Sequence, residues 1–293
     1  MSVEITTAFR QEYKSGIEML VQQMSSQMRT SVREEAISSK RAFFDQVGAV
    51  AATEATERHG DTQYVSTPHK RRSVAAKTYR VADLVDVPDL IRTLNDPTNA
   101  YSQAFAAALN RAIDREIATA ALGTAYTGET GTNAVTLPAG QKLAAGGAGF
   151  TLAKLRSAMK LFKANNAIMP GDDLYVAWTS AQEDEFMDTN EVKSVDYNTQ
   201  KVLVSGGVEG FYGFRFIRLE DAADGTLLPK SGSTRSCFAW AKSGVLLGLG
   251  QDITAKIDPL PNKNYAAQVY ASMDIGATRM QEEKVVQIDC VES

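Results

Sequence analysis

Residues 101–122 read YSQAFAAALNRAIDREIATAAL, and their periodicity fixes the first solid element of the fold. Tyr101, Phe105, Leu109, Ile113 and Ile117 recur every four residues, the spacing of one helical face. Ala108, Ala112 and Ala120 widen that stripe, while Arg111, Asp114, Arg115 and Glu116 crowd the other side. Upstream, Asn95, Asp96, Pro97, Thr98 and Asn99 supply a turn and several N-cap types. Downstream, Gly123 is a natural stop. A helix of this length spans roughly 33 Å. Its many alanines favour helix and let a sheet approach the backbone closely.

Working toward the C-terminus, residues 123–150 are rich in Gly, Thr and Ala and read as loop. A second helix is expected from Thr151 to about Asn165, with Leu152, Leu155, Met159 and Phe162 on one side. DLYVAW (173–178) reads as a buried strand, and Ser180 as the cap of a short acidic helix, AQEDEFMD. Helix, strand and helix in succession imply a mixed α/β body. The remainder reads mainly as strand. VEGFYGFRFIRL (208–219) alternates Phe214 and Phe216 with Arg215. CFAWAKSGVLLGLG (237–250) is apolar and broken by Gly244 and Gly248. YAAQVYASMDIGATRMQEEKVVQIDC (265–290) fits a long closing hairpin or a sheet edge.

Toward the N-terminus, residues 58–80 hold Arg58, Lys70, Arg71, Arg72, Lys77 and Arg80 against one acid, Asp61. That is a net +5 in a chain whose total is −4, which leaves −9 for the remainder. With strand character at Gln63–Val65 and Lys77–Val81 and Pro68 between, the segment reads as a projecting two-stranded loop with a basic tip. The run FFDQVG (43–48) can begin a strand. Residues 10–45 read as a weakly amphipathic helix through Ile17, Leu20, Val21, Met24, Met28 and Val32. Such a segment suits lying on a neighbour or on its own subunit's body.

Composition removes several chemistries. With 293 residues, two cysteines and two histidines, the chain can build no zinc cluster, CxxC redox site or disulfide framework. Cys237 and Cys290 are expected as two buried thiols. A net charge of −4 rules out a uniformly basic nucleic-acid coat. No signal peptide and no membrane-length apolar run is found, which suggests a cytosolic protein or one assembled there. Asp172 with Asp173, Glu183–Asp184–Glu185, and Asp221 with Asp224 lack a calcium-loop spacing. AAGGAGF lacks the Lys of a phosphate loop, and His59 and His69 have no orienting carboxylate or nucleophile beside them. No catalytic, cofactor-binding or metal residue is therefore nominated, no cofactor is expected, and the expectation is of a protein that is not an enzyme.

The order of these features resembles the major capsid protein of tailed bacteriophages, with the HK97-like fold, an α+β class. The resemblance rests on TQYVSTPHKRRSVAAKTYRV, NRAIDREIATAALG, GFYGFRFIRL, the G-A-x-R of GATR (276–279) and the terminal VVQI. It implies an extended N-terminal arm over 1–45 and an E-loop over 46–90. Residues 91–122 would be peripheral domain with the long spine helix, and 123–262 the axial domain with adjoining peripheral elements. Residues 263–293 would supply closing strands of the peripheral domain. On this layout roughly the first 85 residues are arm and loop, so the chain should expose more than the about 12,000 Å² of a compact globule of its mass.

The implied function is a head-shell subunit that self-assembles as hexamers and pentamers into an icosahedral shell around double-stranded DNA, without sequence-specific DNA binding. The implied partners are copies of itself, a separate scaffolding protein, a portal and a decoration protein, with no membrane. The implied location is the virion, after assembly in the host cytoplasm. The basic loop would meet acidic surface on a neighbour. Lys70 and Lys77 lie where some relatives carry a cross-linking lysine, but no asparagine partner matches, and no such bond is expected. The alternatives are an encapsulin-like nanocompartment shell and, from a different class, a soluble α/β enzyme. A nucleic-acid module acting through HKRR is a minor third.

Overall fold

A computed structural model describes residues 22–54, 61–62, 64–85, 98–188, 210–221 and 226–292. In chain order the strands and α-helices are β1 (Arg33–Ala36), β2 (Arg41–Val47), β3 (His69–Ala75), β4 (Lys77–Val85), α1 (Thr98–Leu122), β5 (Ala125–Thr127), β6 (Asn133–Val135) and β7 (Lys142–Leu143). Then follow α2 (Leu152–Ala164), β8 (Leu174–Trp178), α3 (Ser180–Met187), β9 (Gly210–Phe211), β10 (Phe214–Arg218), β11 (Lys230–Ser231) and β12 (Thr234–Ala241). β13 (Val245–Leu260), β14 (Ala266–Arg279) and β15 (Val285–Val291) close the chain.

These strands make three sheets. The largest runs β7-β15-β12-β8-β10-β9, with β11 beside β12; the second runs β1-β13-β14-β4, and the third β2-β3-β5-β6. Pairing of β10 with β8 is parallel, Phe214 opposite Leu174 and Phe216 opposite Val176, so both phenylalanines share a face with Trp178. Against that face pack α2, through Phe162 on Phe214, and α3, through Phe186 on Trp178 and Phe216. The other face carries Tyr175, stacked on Trp240, and Phe238. All five side chains of β8 are buried, as a strand covered on both faces requires.

The long helix packs on β14, β13 and β4, with Leu109, Ile113 and Ile117 buried as the four-residue spacing predicts. The helix ends at Gly123, where an added Cβ would lie 2.5 Å from the carbonyl oxygen of Thr119. Its charged side does not behave as expected: Arg111, Asp114 and Glu116 are buried. A helix roofed by an arm on one flank and a strand on the other has no fully solvated face, so periodicity alone misplaces them.

Four other expectations are corrected. Residues 22–45 hold no α-helix; irregular backbone carries a single 3₁₀ turn (Arg29–Ser31), then β1 and the start of β2, and β1 is a strand because it finds a parallel partner in β13. The part of that expectation over 10–21 lies outside the described residues. The projecting hairpin is built from β2 and β3, Val47 opposite His69; Tyr64 and Val65 lie in no strand, Gln63 lies outside the described residues, and β4 (with 77–81) belongs to the second sheet, paired with β14. HKRR therefore lies within β3 and is not a tip. β14 and β15 form no hairpin, since β15 inserts between β7 and β12. The acidic helix is capped by Thr179, whose N–H and hydroxyl both donate to Gln182 Oε1, with Ser180 its first helical residue.

The accessible surface is 18,225 Å², half as much again as the about 12,000 Å² of a compact globule of this mass. Extended elements among the described residues contribute to this. β13 pairs with β1 only over Leu246–Leu249, and its distal half runs on as a ribbon with β14 and β4.

Candidate assembly site

Functional geometry in this chain consists of anchors that hold extended segments to the body. The arm is the first. Asp114, at the centre of α1 and wholly buried, accepts hydrogen bonds from Gln23 Nε2, from Ser26 Oγ at 2.6 Å, and from the main-chain N–H groups of Gln27 and Met28 at 3.0 Å each. One helix turn earlier, Asn110 Nδ2 donates to the carbonyl of Met24 and Arg111 Nη1 to that of Gln23. The arm then turns into the body: Met28 and Val32 join the main core, and Trp240 Nε1 donates to the carbonyl of Ser31 at 3.0 Å. Arg29 bridges Glu34 and Asp252, tying arm to β13. The guanidinium of Arg29 holds the Asp252 carboxyl below its ordinary range.

The hairpin root is the second anchor. Arg72 is buried; its Nε donates to the carbonyl of Met280 at 3.0 Å and its Nη2 to both oxygens of Glu282 at 2.6 Å. Arg279, from the GATR run, is fully buried and donates to the carbonyls of Ala121 and Gly123 at the end of α1, and to that of Val135. A guanidinium at the carbonyl end of a helix completes its orphan acceptors and opposes its dipole. Glu282 Oε1 also lies 3.6 Å from Arg279 Nε, so one carboxylate serves two cations. Burial pushes Arg279 below its ordinary value, with Glu282 pulling the other way.

Two glycines admit the root. Gly248 and Gly276 lie opposite each other across β13 and β14. A Cβ on Gly276 would sit 2.3 Å from the carbonyl oxygen of Ala75, and one on Gly248 3.1 Å from Ile37.

The third anchor joins β4 to the helix. Lys77 Nζ and Tyr79 OH reach the two oxygens of buried Glu116 at 2.6 and 2.7 Å. Burial first, and Glu116 second, push the Tyr79 phenol up. The fourth lies near the C-terminus. Glu292 accepts from Arg235, Gln182 and Lys230. Burial alone would raise its pKa, but these partners, Arg235 foremost, outweigh it and bring the carboxyl down to about 2.

Two cations of the basic segment, Arg71 and Arg72, are spent within the chain. Arg71 pairs with Asp45, its cross-strand neighbour, and lies over the Phe43 ring, while Arg72 is the buried anchor just described. The expected basic tip facing a neighbour's acids is therefore corrected for these two residues: their acids are Asp45 and Glu282. His69 and Lys70 remain exposed on β3, and His59 lies outside the described residues.

Several of the acids weighed for metal binding are structural or paired. Asp172 accepts from Ser243, Asp173 pairs with Arg215, Glu185 accepts from the N–H of Phe150, and Asp221 pairs with Arg235; Asp224 lies outside the described residues. Among the described residues no group of three or more His, Cys, Asp or Glu could hold a metal ion, and no helix is long and apolar enough to cross a membrane. Cys237 and Cys290 are buried free thiols, and the nearby Cys290 with burial pushes the Cys237 thiol up.

Sequence reasoning missed Asp114, Arg72, Arg279 and Glu292 as anchors. Arg279 carried a signal, since it follows a glycine that packs against backbone; Asp114 carried its signal in standing beside Ile113 on the apolar stripe.

Away from the anchors, apolar side chains stand in solvent. Val47, Val50, Tyr64 and Val65 do so at the far end of the hairpin, Tyr64 at 95% exposure. Leu84, Ile257 and Tyr265 do so along the β13–β14–β4 ribbon.

Comparison with known proteins gives these extended elements a context. A model of the family "phage capsid protein" matches residues 5–292. No curated protein matches the chain. Among solved structures, the chain resembles the capsid of the cyanophage P-SCSP1u, with a TM-score of 0.72 at 16% identity over 100% of this chain and 96% of that one. The capsid of cyanophage Pam1 gives 0.70 at 14% identity, over 98% and 97%. The capsid of Helicobacter pylori bacteriophage KHP30 gives 0.70 at 12% identity, over 99% and 98%. These similarities establish the fold as HK97-like.

The chain belongs to the phage capsid protein family. Its function is structural: a self-assembling subunit of the icosahedral shell that encloses viral DNA. The nanocompartment and enzyme alternatives give way to that membership.

Proposed function

We propose that this chain builds the shell by strapping neighbours with two rooted extensions, the arm before residue 38 and the β2–β3 hairpin. The observation that carries this reading is the contrast along the hairpin. Its root is fixed by Arg72, Glu282 and Gly276, whereas its far end presents Val47, Val50, Tyr64 and Val65 to solvent. Apolar groups held away from their own core gain burial only against another copy. On this reading β2–β3 is the E-loop, α1 the spine helix of the peripheral domain, the β13–β14–β4 ribbon its outer extension, and the seven-stranded sheet with α2 and α3 the axial domain. Hexamers and pentamers of such subunits would enclose double-stranded DNA. A separate scaffolding protein, a portal and a decoration protein complete the expected partners, with assembly in the host cytoplasm. Negative-stain imaging of the purified chain, alone and with its scaffold, tests the reading. Closed shells of uniform size are expected, and a strictly monomeric species under both conditions would overturn it.

A further inference from the structure

The outer side of α2 carries Arg156, Lys160 and Lys163, spaced four and three residues apart and therefore on one face. All three are exposed, and none is ion-paired among the described residues. They line an open groove of about 770 Å³ that, among the described residues, no acidic side chain lines. Like charges at this spacing cost helix stability, so an unpaired row of three is unfavourable in the free subunit. At the groove's edge stands Tyr212, half exposed, in the two-residue turn between β9 and β10. Both turn residues have positive φ, Tyr212 at 52° and Gly213 at 83°. That turn type favours Asn or Gly at its first position, and a bulky aromatic there is strained. The turn is seated on the helix itself, since a Cβ on Gly213 would meet Met159 Cε at 3.4 Å. Two independent local costs, charge repulsion and backbone strain, thus converge on one groove.

We propose that this groove is a contact site for the phosphate backbone of duplex DNA, and that the face of the large sheet covered by α2 looks into the shell. The inference rests on the shell reading above. Three point cations in a row suit a line of phosphates, and a tyrosine hydroxyl donates to phosphate oxygens as readily as to any acceptor. No base edge can be read by so shallow a groove, so the binding is independent of sequence. The chain's overall −4 keeps the remainder of the surface from competing.

The test is binding of a fluorescent 30-base-pair duplex of mixed sequence to the unassembled subunit at 20–100 mM salt, with particle formation followed separately by electron microscopy. Neutralising the row (R156Q, K160Q and K163Q together) should flatten the plot of log affinity against log salt by about 2–3, the contribution of three phosphate contacts. Exchanging the same positions for the other cation (R156K, K160R, K163R) should leave it unchanged. Tyr212→Asn should bind the duplex more weakly while melting no lower than the wild type, because it relieves the turn. An unaltered slope in the triple Gln variant overturns the proposal. Polyglutamate displacing the duplex at lower charge concentration than competing DNA overturns it in favour of an acidic protein partner. Failure of the wild type to form particles would instead overturn the shell reading, and leaves the duplex measurement to stand by itself.

Discussion

The carboxylate of Asp114 is held by four donors on one short stretch of arm, two of them main-chain N–H groups that have no other acceptor to turn to. Removing it strips Gln27 and Met28 of their partner next to a core that already holds Met28. Hydrogen bonds to a charged acceptor contribute about 1.5–3 kcal/mol, and leaving a buried donor unpaired costs a similar amount. Asp114→Ala should therefore destabilise the subunit by on the order of 3 kcal/mol. It should also expose the arm to trypsin at Arg29, whose ion pairs depend on the arm lying in place. Asp114→Asn retains one good acceptor and should recover about half of the loss. Urea midpoints with limited proteolysis measure both effects. A midpoint within error of the wild type, with Arg29 equally resistant, would show that the arm is held elsewhere.

At the scale of elements, the hairpin meets the sheet where two glycines face each other. Gly276 has no positive φ, so its backbone would accept alanine; what forbids a side chain is the Ala75 carbonyl pressed against the site. Gly276→Ala should therefore cost about 1–3 kcal/mol, the range for overpacking. Gly140, around which an added Cβ meets nothing within 4 Å, is the matched control and should tolerate alanine without loss. Melting temperatures of the two variants decide the matter, and equal values would remove the glycine pair from the account of the root.

These glycines also show where sequence reading stops. The spacing of Leu109, Ile113 and Ile117 gave α1 and its buried face, and Leu152, Leu155, Met159 and Phe162 gave α2, because local periodicity reports local packing. Gly248 read as a break in an apolar run, and HKRR as a solvated tip, because the groups that explain them lie far along the chain. Gly248 makes room for Ile37, and Arg72 meets Glu282. The arm failed for the same reason: β1 is a strand only because β13 is there to pair with it, and four residues carry no such information alone.

Across the whole molecule, three of the carboxylates that accept from arginine are held below their ordinary values: Asp45 at the hairpin, Asp252 at the arm and Glu292 near the C-terminus. A carboxyl whose pKa is lower in the folded than in the unfolded state contributes stability that is fully present above the unfolded value. That contribution is lost as pH falls through the folded one. For Glu292 the window runs from 4.5 down to about 2. Asp45 and Asp252 are exposed or nearly so, and solvent and salt leave their pairs little weight. Glu292, with Arg235 and Lys230 around it, should carry most of the effect, ~1–2 kcal/mol after screening. The melting temperature of the subunit should therefore fall steadily between pH 5 and pH 2, and Glu292→Gln should lower it at pH 7 and flatten that fall. Small-angle scattering should show the same order in space. At pH 7 the radius of gyration should already exceed the about 19 Å of a compact chain of this length, because the far end of the hairpin and the β13–β14–β4 ribbon extend from the body. It should grow further only once Glu292 is protonated. A Glu292→Gln variant whose acid profile matches the wild type would place the acid-sensitive tie at another carboxylate.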